Sequence, residues 1–243
     1  MDVGKESNLS TYKKNKKSKI ERPNRKHDDI VAHAIRHIDH VTYAGKVRNE
    51  ADFIDRWNIM GFSELVRLHT QRYPATHIAL TSGQNPNFPW ETMTGLSISE
   101  DPGSPINEFV IRYGEGIQHV AYNIDPNIPM EEVYRELKRR KWQFMTNVLI
   151  HKDDHGARLC QLFTAPQVPA GTFVELVQRL PGKHGEIFDT FDIANIDDLY
   201  EAYAQYSAWL EKHHHSSALK YQKAFEAQIQ ADYQKQMNPS YYG

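Results

Sequence analysis

Two short segments set the register for the whole chain. Residues 38–43 read Ile38-Asp39-His40-Val41-Thr42-Tyr43 and residues 117–122 read Ile117-Gln118-His119-Val120-Ala121-Tyr122. The shared pattern, Ile-x-His-Val-x-Tyr, is β-branched and aromatic, as strands are. After each copy the apolar period lengthens to that of a helix. Phe53, Ile54, Trp57 and Met60 predict a helix near 50–60. Val133 and Leu137, following Pro129 as a first-turn residue, predict one near 130–140. Strand-like segments come next, near 76–81, 91–98 and 107–113 in the first half and near 144–150, 157–164 and 172–179 in the second. Asn85-Pro86-Asn87, Asp101-Pro102-Gly103 and the run from Asp153 to Gly156 supply turns between them. The pattern predicts an α+β fold of two tandem βαβββ modules, about 37–114 and 115–180.

Beyond the repeat the pattern is helical. Asn195 can cap, with Asp198 three residues on, and Leu199, Tyr203, Tyr206 and Leu210 form an apolar stripe. A second helix is expected from about 217 to 236. The expected organisation is a basic tail over 1–28, a paired-module domain over 29–194 and a C-terminal helical extension over 195–243. The tail carries Lys13, Lys14, Lys16, Lys17 and Lys19 and too little apolar surface to offset its ordering entropy.

Composition narrows the function classes. The 243 residues are 40% hydrophobic, enough for a core, with a formal net charge of -2. That balance calls for neither nucleic acid nor a membrane surface as partner. The single cysteine, Cys160, cannot form an intramolecular disulfide and reads as a small core residue. A cytoplasmic location is expected. No apolar run reaches the roughly 18 residues of a membrane span, and the N-terminus lacks a signal-peptide core. A homo-oligomer is compatible with all of this.

Alternate strand residues share a face, so Ile38, His40 and Thr42 point one way and Ile117, His119 and Ala121 do likewise. If the modules pair about a pseudo-twofold axis, His40 and His119 converge. A lone strand histidine is usually a satisfied core residue; a matched pair is less easily dismissed. Glu175, inside Thr172-Phe173-Val174-Glu175-Leu176-Val177, is a carboxylate in an apolar strand. Burying it unpaired costs several kcal/mol, which a metal ion, or a buried Arg or Lys, would remove. Two imidazoles and one carboxylate form the set associated with non-haem Fe(II) oxygenases. The first module's equivalent of Glu175 is expected near Val110, which cannot ligate, leaving three protein ligands and open positions. Were Glu108 to point inward, a fourth ligand would return.

Other histidines carry less. His213-His214-His215 fits a solvated turn, since consecutive residues do not share a helix face. His151 and His155 bracket a polar turn and are expected to face solvent. His33 and His37 precede His40 at helix-like spacing, but His37 and His40 read better on a strand. The chain has no glycine-rich phosphate loop.

At His40, His119 and Glu175 the chain resembles the vicinal oxygen chelate superfamily, and more narrowly the catalytic half of the 4-hydroxyphenylpyruvate dioxygenase family. The resemblance covers roughly 37–193. It is best at Ile38-Asp39-His40-Val41, Gly116-Ile117-Gln118-His119-Val120-Ala121, Gln161-Leu162-Phe163-Thr164-Ala165-Pro166 and Phe173-Val174-Glu175-Leu176-Val177-Gln178-Arg179. It implies a half-open barrel of the glyoxalase type with His40, His119 and Glu175 as Fe(II) ligands. Phe163 would be an aromatic wall, Gln161 and Gln118 active-site amides, and Phe188 or Phe191 a second aromatic near a C-terminal gating helix. Departures are also present. Family members usually carry an additional N-terminal pair of modules, and the stretch between His119 and Glu175 is short. Pro105 and Asn107 stand where a substrate-contacting glutamine is usual.

The resemblance implies an Fe(II)-dependent dioxygenase that chelates an α-keto acid of the aryl-pyruvate type, uses O2 and decarboxylates the substrate oxidatively. Three alternatives share the fold. An extradiol ring-cleaving dioxygenase needs an additional His and Tyr near the metal, for which the sequence offers no convincing positions. A glyoxalase-like Zn(II) or Ni(II) enzyme needs a fourth ligand near 108–110. A non-catalytic ligand-binding module needs only the fold.

Overall fold

The computed structural model describes residues 29–82, 93–166, 170–185 and 193–213. The expected tail over 1–28, the helix over 217–236 and the candidates Phe188 and Phe191 lie outside the described residues.

The first repeat is β1 (Ile35–Gly45), α2 (Glu50–Ile59), β2 (Ser63–Thr70), β3 (Ala75–Thr81) and β4 (Met93–Ile98). The second is β5 (Gly116–Ile124), α4 (Met130–Arg139), β6 (Leu149–Lys152), β7 (Arg158–Phe163) and β8 (Phe173–Leu180). A short helix α1 (Ile30–Ala34) precedes them, α3 (Pro105–Tyr113) joins them and α5 (Ile193–His213) follows. All eight strands lie in one sheet in the order β2-β3-β4-β1-β5-β8-β7-β6. The order is symmetric about the β1–β5 pair, which is antiparallel. Each half closes with a parallel pair, β1 on β4 and β5 on β8.

Two expectations about the first repeat are corrected. The segment 107–113 is helical, and the strand that completes the module is the earlier Ser63–Thr70. The helix has a start and a stop in its own sequence. Ser104 accepts a hydrogen bond from the Asn107 amide at 3.2 Å, Pro105 occupies the first turn and Gly114 ends the helix at φ 87°. Ile106, Phe109 and Val110 then fall on one buried stripe, and Glu108 pairs with Arg112 at 2.7 Å across one turn. Strand β2 carries a weak apolar pattern because it is an edge strand, exposed along much of its length.

Val110 is therefore not the counterpart of Glu175. Thr42 pairs with Gly95 as Ala121 pairs with Glu175, so the counterpart is Gly95. The conclusion that the first repeat offers no carboxylate at this point survives, carried by a different residue. Glu108 stands on α3, engaged with Arg112.

The second repeat is covered on both faces. On one, α1 and α4 bury Ala34, Val133 and Leu137 against Ile124, Cys160, Leu162 and Leu176. Asp29 caps α1 and binds Arg140 at 2.6 Å, tying the first helix to the end of α4. On the other, α3 and α5 bury Phe109, Leu199 and Tyr203 against Phe163 and Phe173. The first repeat is thinner. Helix α2 has no buried residue, and its ring contacts run among Tyr43, Phe53, Trp57 and Phe62. Met60 falls at its end and is 65% exposed. Among the described residues no helix is long and apolar enough to cross a membrane.

Candidate metal centre

The pairing of β1 with β5 slips at three points, two of them placed symmetrically about the histidines. Ile38 faces Tyr122 while His40 faces Ala121, so Asp39 is an additional residue in β1. Tyr43 faces Ile117 while Thr42 faces His119, so Gln118 is an additional residue in β5. A bulge bends its strand and re-aims the neighbouring side chain. Each bulged residue here precedes a histidine and reaches its Nδ1: Asp39 Oδ1 lies 3.0 Å from His40 Nδ1, and Gln118 Oε1 lies 3.3 Å from His119 Nδ1. Accepting the Nδ1 proton turns each Nε2 to the interior, where it offers a lone pair whenever its ring is neutral.

Those two nitrogens meet Glu175. His40 Nε2 and His119 Nε2 are 3.3 Å apart, and Glu175 Oε2 lies 3.2 Å from the first and 3.4 Å from the second. Bonds of about 2.1 Å hold neighbouring donor atoms roughly 3.0 Å apart at octahedral angles and about 3.4 Å apart at tetrahedral ones. The triangle spans that interval, so the three side chains fit a divalent cation as they stand. All three are buried, and they form the one group of metal-ligand type among the described residues. Gln161 Nε2 donates to the other carboxylate oxygen, Glu175 Oε1, at 2.9 Å. The Arg or Lys partner that would make Glu175 a plain buried ion pair is absent among the described ion pairs; Arg179 instead binds Asp39 at 3.0 Å.

Charge is uneven across the pair. Burial depresses the His40 imidazole, but Glu175 and Asp39 outweigh it and hold the group at about 9. Burial and then the charge on His40 push His119 well below its usual value. Burial would raise the Asp39 carboxyl, yet His40 and Arg179 hold it far below the carboxylate range. The protein therefore presents one cationic and one neutral imidazole to one carboxylate. A metal ion bound by these side chains would replace the proton on His40.

A cavity opens from the triad toward the first repeat, with α5 along its side. It encloses about 680 Å³ of empty space when its open, solvent-filled mouth is included. Gln161 and Phe163 line it with the triad. Gln118 does not line it and instead holds His119. Asn107 turns away, donating to the carbonyls of Ser99 and Asp101 at 3.0 and 2.6 Å. Asn195 is the third residue of α5 rather than its cap, and it lines the cavity. His151, expected in solvent, is 14% exposed, with Nε2 3.6 Å from Asp198 on α5.

Four participants were not anticipated as such: Asp39, His77, Ser97 and Tyr200. His77 on β3 is bracketed by Ser97 Oγ at 2.9 Å and Thr70 Oγ1 at 3.3 Å. Its ring lies 5.3 Å from that of Tyr200 on α5. Burial and then the charge of His69 lower its pKa to about 4, so it is neutral. Asp39 had a usable signal, because it varies inside an otherwise repeated motif. His77 and Tyr200 are brought to one cavity by tertiary packing and had none.

No protein-family model matches the chain, and no curated protein matches it. Among solved structures, a triple mutant of 4-hydroxymandelate synthase from Streptomyces coelicolor superposes with a TM-score of 0.55 at 20% identity, covering 68% of this chain and 53% of that one. A xylose isomerase-like TIM barrel/4-hydroxyphenylpyruvate dioxygenase fusion protein superposes at 0.53 and 18% identity, covering 70% of this chain and 29% of that one. A methylmalonyl-CoA epimerase aligns at 0.46 and 21% identity, over 60% of this chain and 96% of that one. The chain spans about half the length of the first of these and under a third of the second. The fold is that of the vicinal oxygen chelate proteins: two βαβββ repeats in one curled sheet.

Proposed function

We propose that this chain is a non-haem Fe(II) dioxygenase acting on an α-keto acid with an apolar, aryl-type side chain. The observation that carries the proposal is the three-membered ligand set, His40, His119 and Glu175, with Gly95 at the position where a fourth ligand would stand. Three protein ligands leave open coordination positions. A glyoxalase-like site with a carboxylate from residues 108–110 is disfavoured, since those residues are on α3. A bound Fe(II), held by His40, His119 and Glu175, would supply O2 activation for the oxidative decarboxylation of the keto acid.

The residues of the chain bind and orient. No Lys or Arg lines the cavity among the described residues, so the one negative group of a substrate belongs at the metal. Phe163 offers a ring face to the remainder of the substrate. Gln161 Oε1 is buried without a hydrogen-bond partner and takes a donor on the substrate. Aliphatic residues such as Val66, Leu68 and Leu199 exclude water from the rest of the cavity.

The test is O2 uptake by protein reconstituted with Fe(II) and offered 4-hydroxyphenylpyruvate and related α-keto acids. Uptake coupled to CO2 release is expected, and Glu175→Ala is expected to lose both metal and turnover. Iron retained at full strength by Glu175→Ala would end the ligand assignment.

One observation favours a second reading. His77 and Tyr200 line the same cavity as the triad, and an additional His and Tyr are what extradiol ring cleavage requires. Catechols therefore belong in the same panel. Ring-cleavage products from them, with no CO2 from keto acids, would select this reading.

A further inference from the structure

Tyr200 stands on α5, outside the two repeats that carry the metal ligands. Its ring is 2% exposed, and its hydroxyl donates to Gln118 Oε1 at 3.4 Å. The same oxygen accepts from His119 Nδ1 at 3.3 Å. Ser97 Oγ hydrogen-bonds His77 Nδ1 at 2.9 Å, and the His77 ring lies 5.3 Å from that of Tyr200. The result is a buried polar chain from α5 through Gln118 to one imidazole of the triad.

The chain matters because Gln118 is an amide with two different ends. It is fully buried, and its Nε2 has no hydrogen-bond partner among the described residues. Turned over, the amide would present Nε2–H to His119 Nδ1. That contact favours the tautomer with its proton on Nε2, and a protonated Nε2 cannot ligate. The metal-competent tautomer needs the carbonyl end toward His119. A hydroxyl donor beside that carbonyl favours the required orientation.

We propose that Tyr200 is a positioning residue for the metal ligand His119: its hydroxyl fixes the carbonyl of Gln118 toward His119 Nδ1, and so links the docking of α5 to metal affinity. The proposal rests on the metal reading given above. Residues behind a ligating histidine typically change metal affinity by about 10- to 100-fold when altered. Two long hydrogen bonds on one oxygen place Tyr200 at the lower end of that range.

The probe is Co(II), titrated anaerobically into metal-free protein and followed by its visible absorption, with circular dichroism to check folding. Tyr200→Phe keeps the ring in place and is expected to raise the Co(II) Kd about tenfold. Tyr203→Phe, another buried tyrosine of α5, is expected to leave it unchanged. In a Gln118→Glu background a carboxylate presents an acceptor whichever way it turns, so adding Tyr200→Phe is expected to change nothing further. A merely structural role for Tyr200 would weaken binding in both backgrounds. A wild-type Kd for Tyr200→Phe, or a loss that persists in Gln118→Glu, overturns the assignment. Should the wild-type chain itself take up no Co(II), the metal reading fails and this inference falls with it.

Discussion

A residue in this site acts through the atom it presents, and neighbours decide which atom that is. Asp39 illustrates the point. It accepts the Nδ1 proton of His40 while Arg179 and Asn123 hold its two oxygens at 3.0 and 3.3 Å. Asp39→Asn keeps the shape but permits an amide N–H to face Nδ1, and it removes the negative charge that faces the partly buried Arg179. We expect metal affinity to fall by about 10- to 100-fold, measured by Co(II) titration. Phe163 acts differently, since its strand position pairs with Glu175 but its ring offers no donor or acceptor to any of the three side chains. Phe163→Leu keeps most of the volume and removes the ring face. Metal affinity should stay within about twofold while the KM for an aryl-pyruvate rises at least severalfold, a selective loss worth about 1 kcal/mol in ring contact. Equal weakening of metal binding would mean that the side chain supports the site rather than the substrate.

At the scale of elements, the site depends on where β8 begins. Gly171 has φ +70° just before the strand, in the left-handed region that suits glycine. A Cβ there would lie 2.3 Å from the Tyr113 ring at the end of α3. Gly171→Ala must therefore bear backbone strain and displace a packed ring at once. We expect a loss of about 2 kcal/mol or more in urea denaturation. A loss below about 0.5 kcal/mol would show that α3 is not fixed against this turn. Helix α3 also marks the point at which reading by pattern fails. Val110 and Ile111 look like strand residues, but Ser104-Pro105 and Gly114 delimit a helix. Local capping outweighed β-propensity because the helix found an apolar surface to bury Ile106 and Phe109.

For the whole molecule, the acid side of the stability curve is set in part by buried imidazoles. The folded protein holds His77 neutral with a pKa of about 4, against an ordinary value of 6.5. Between those two values the unfolded chain binds the proton and the folded chain does not, so stability falls as pH drops from about 6.5 to 4. Full loss amounts to roughly 3 kcal/mol for a shift of that size. His77→Gln should show a shallower decline across the same window in urea denaturation at pH 7.0, 5.5 and 4.5. A decline as steep as the wild type's would mean that His77 protonates freely in the folded state.

The sequence by itself determined the repeat, the two histidine strands at its centre and the three residues proposed as metal ligands. The motif Ile-x-His-Val-x-Tyr recurs because two copies of one local structure need the same alternation of faces from the histidine onward, although a bulge before each histidine turns Ile38 and Ile117 outward, and a carboxylate inside an apolar strand demands a partner. Those are local requirements, legible in order along the chain. Tertiary structure decided what depends on meeting. It set Gly95 opposite Thr42 where a fourth ligand would sit, because strand pairing joins residues 53 positions apart. It brought His77 from β3 and Tyr200 from α5 to one cavity, because the covering helix docks by its apolar stripe and carries its polar groups along. It also turned the bulged residues Asp39 and Gln118 onto their histidines, since a bulge exists only relative to the strand beside it.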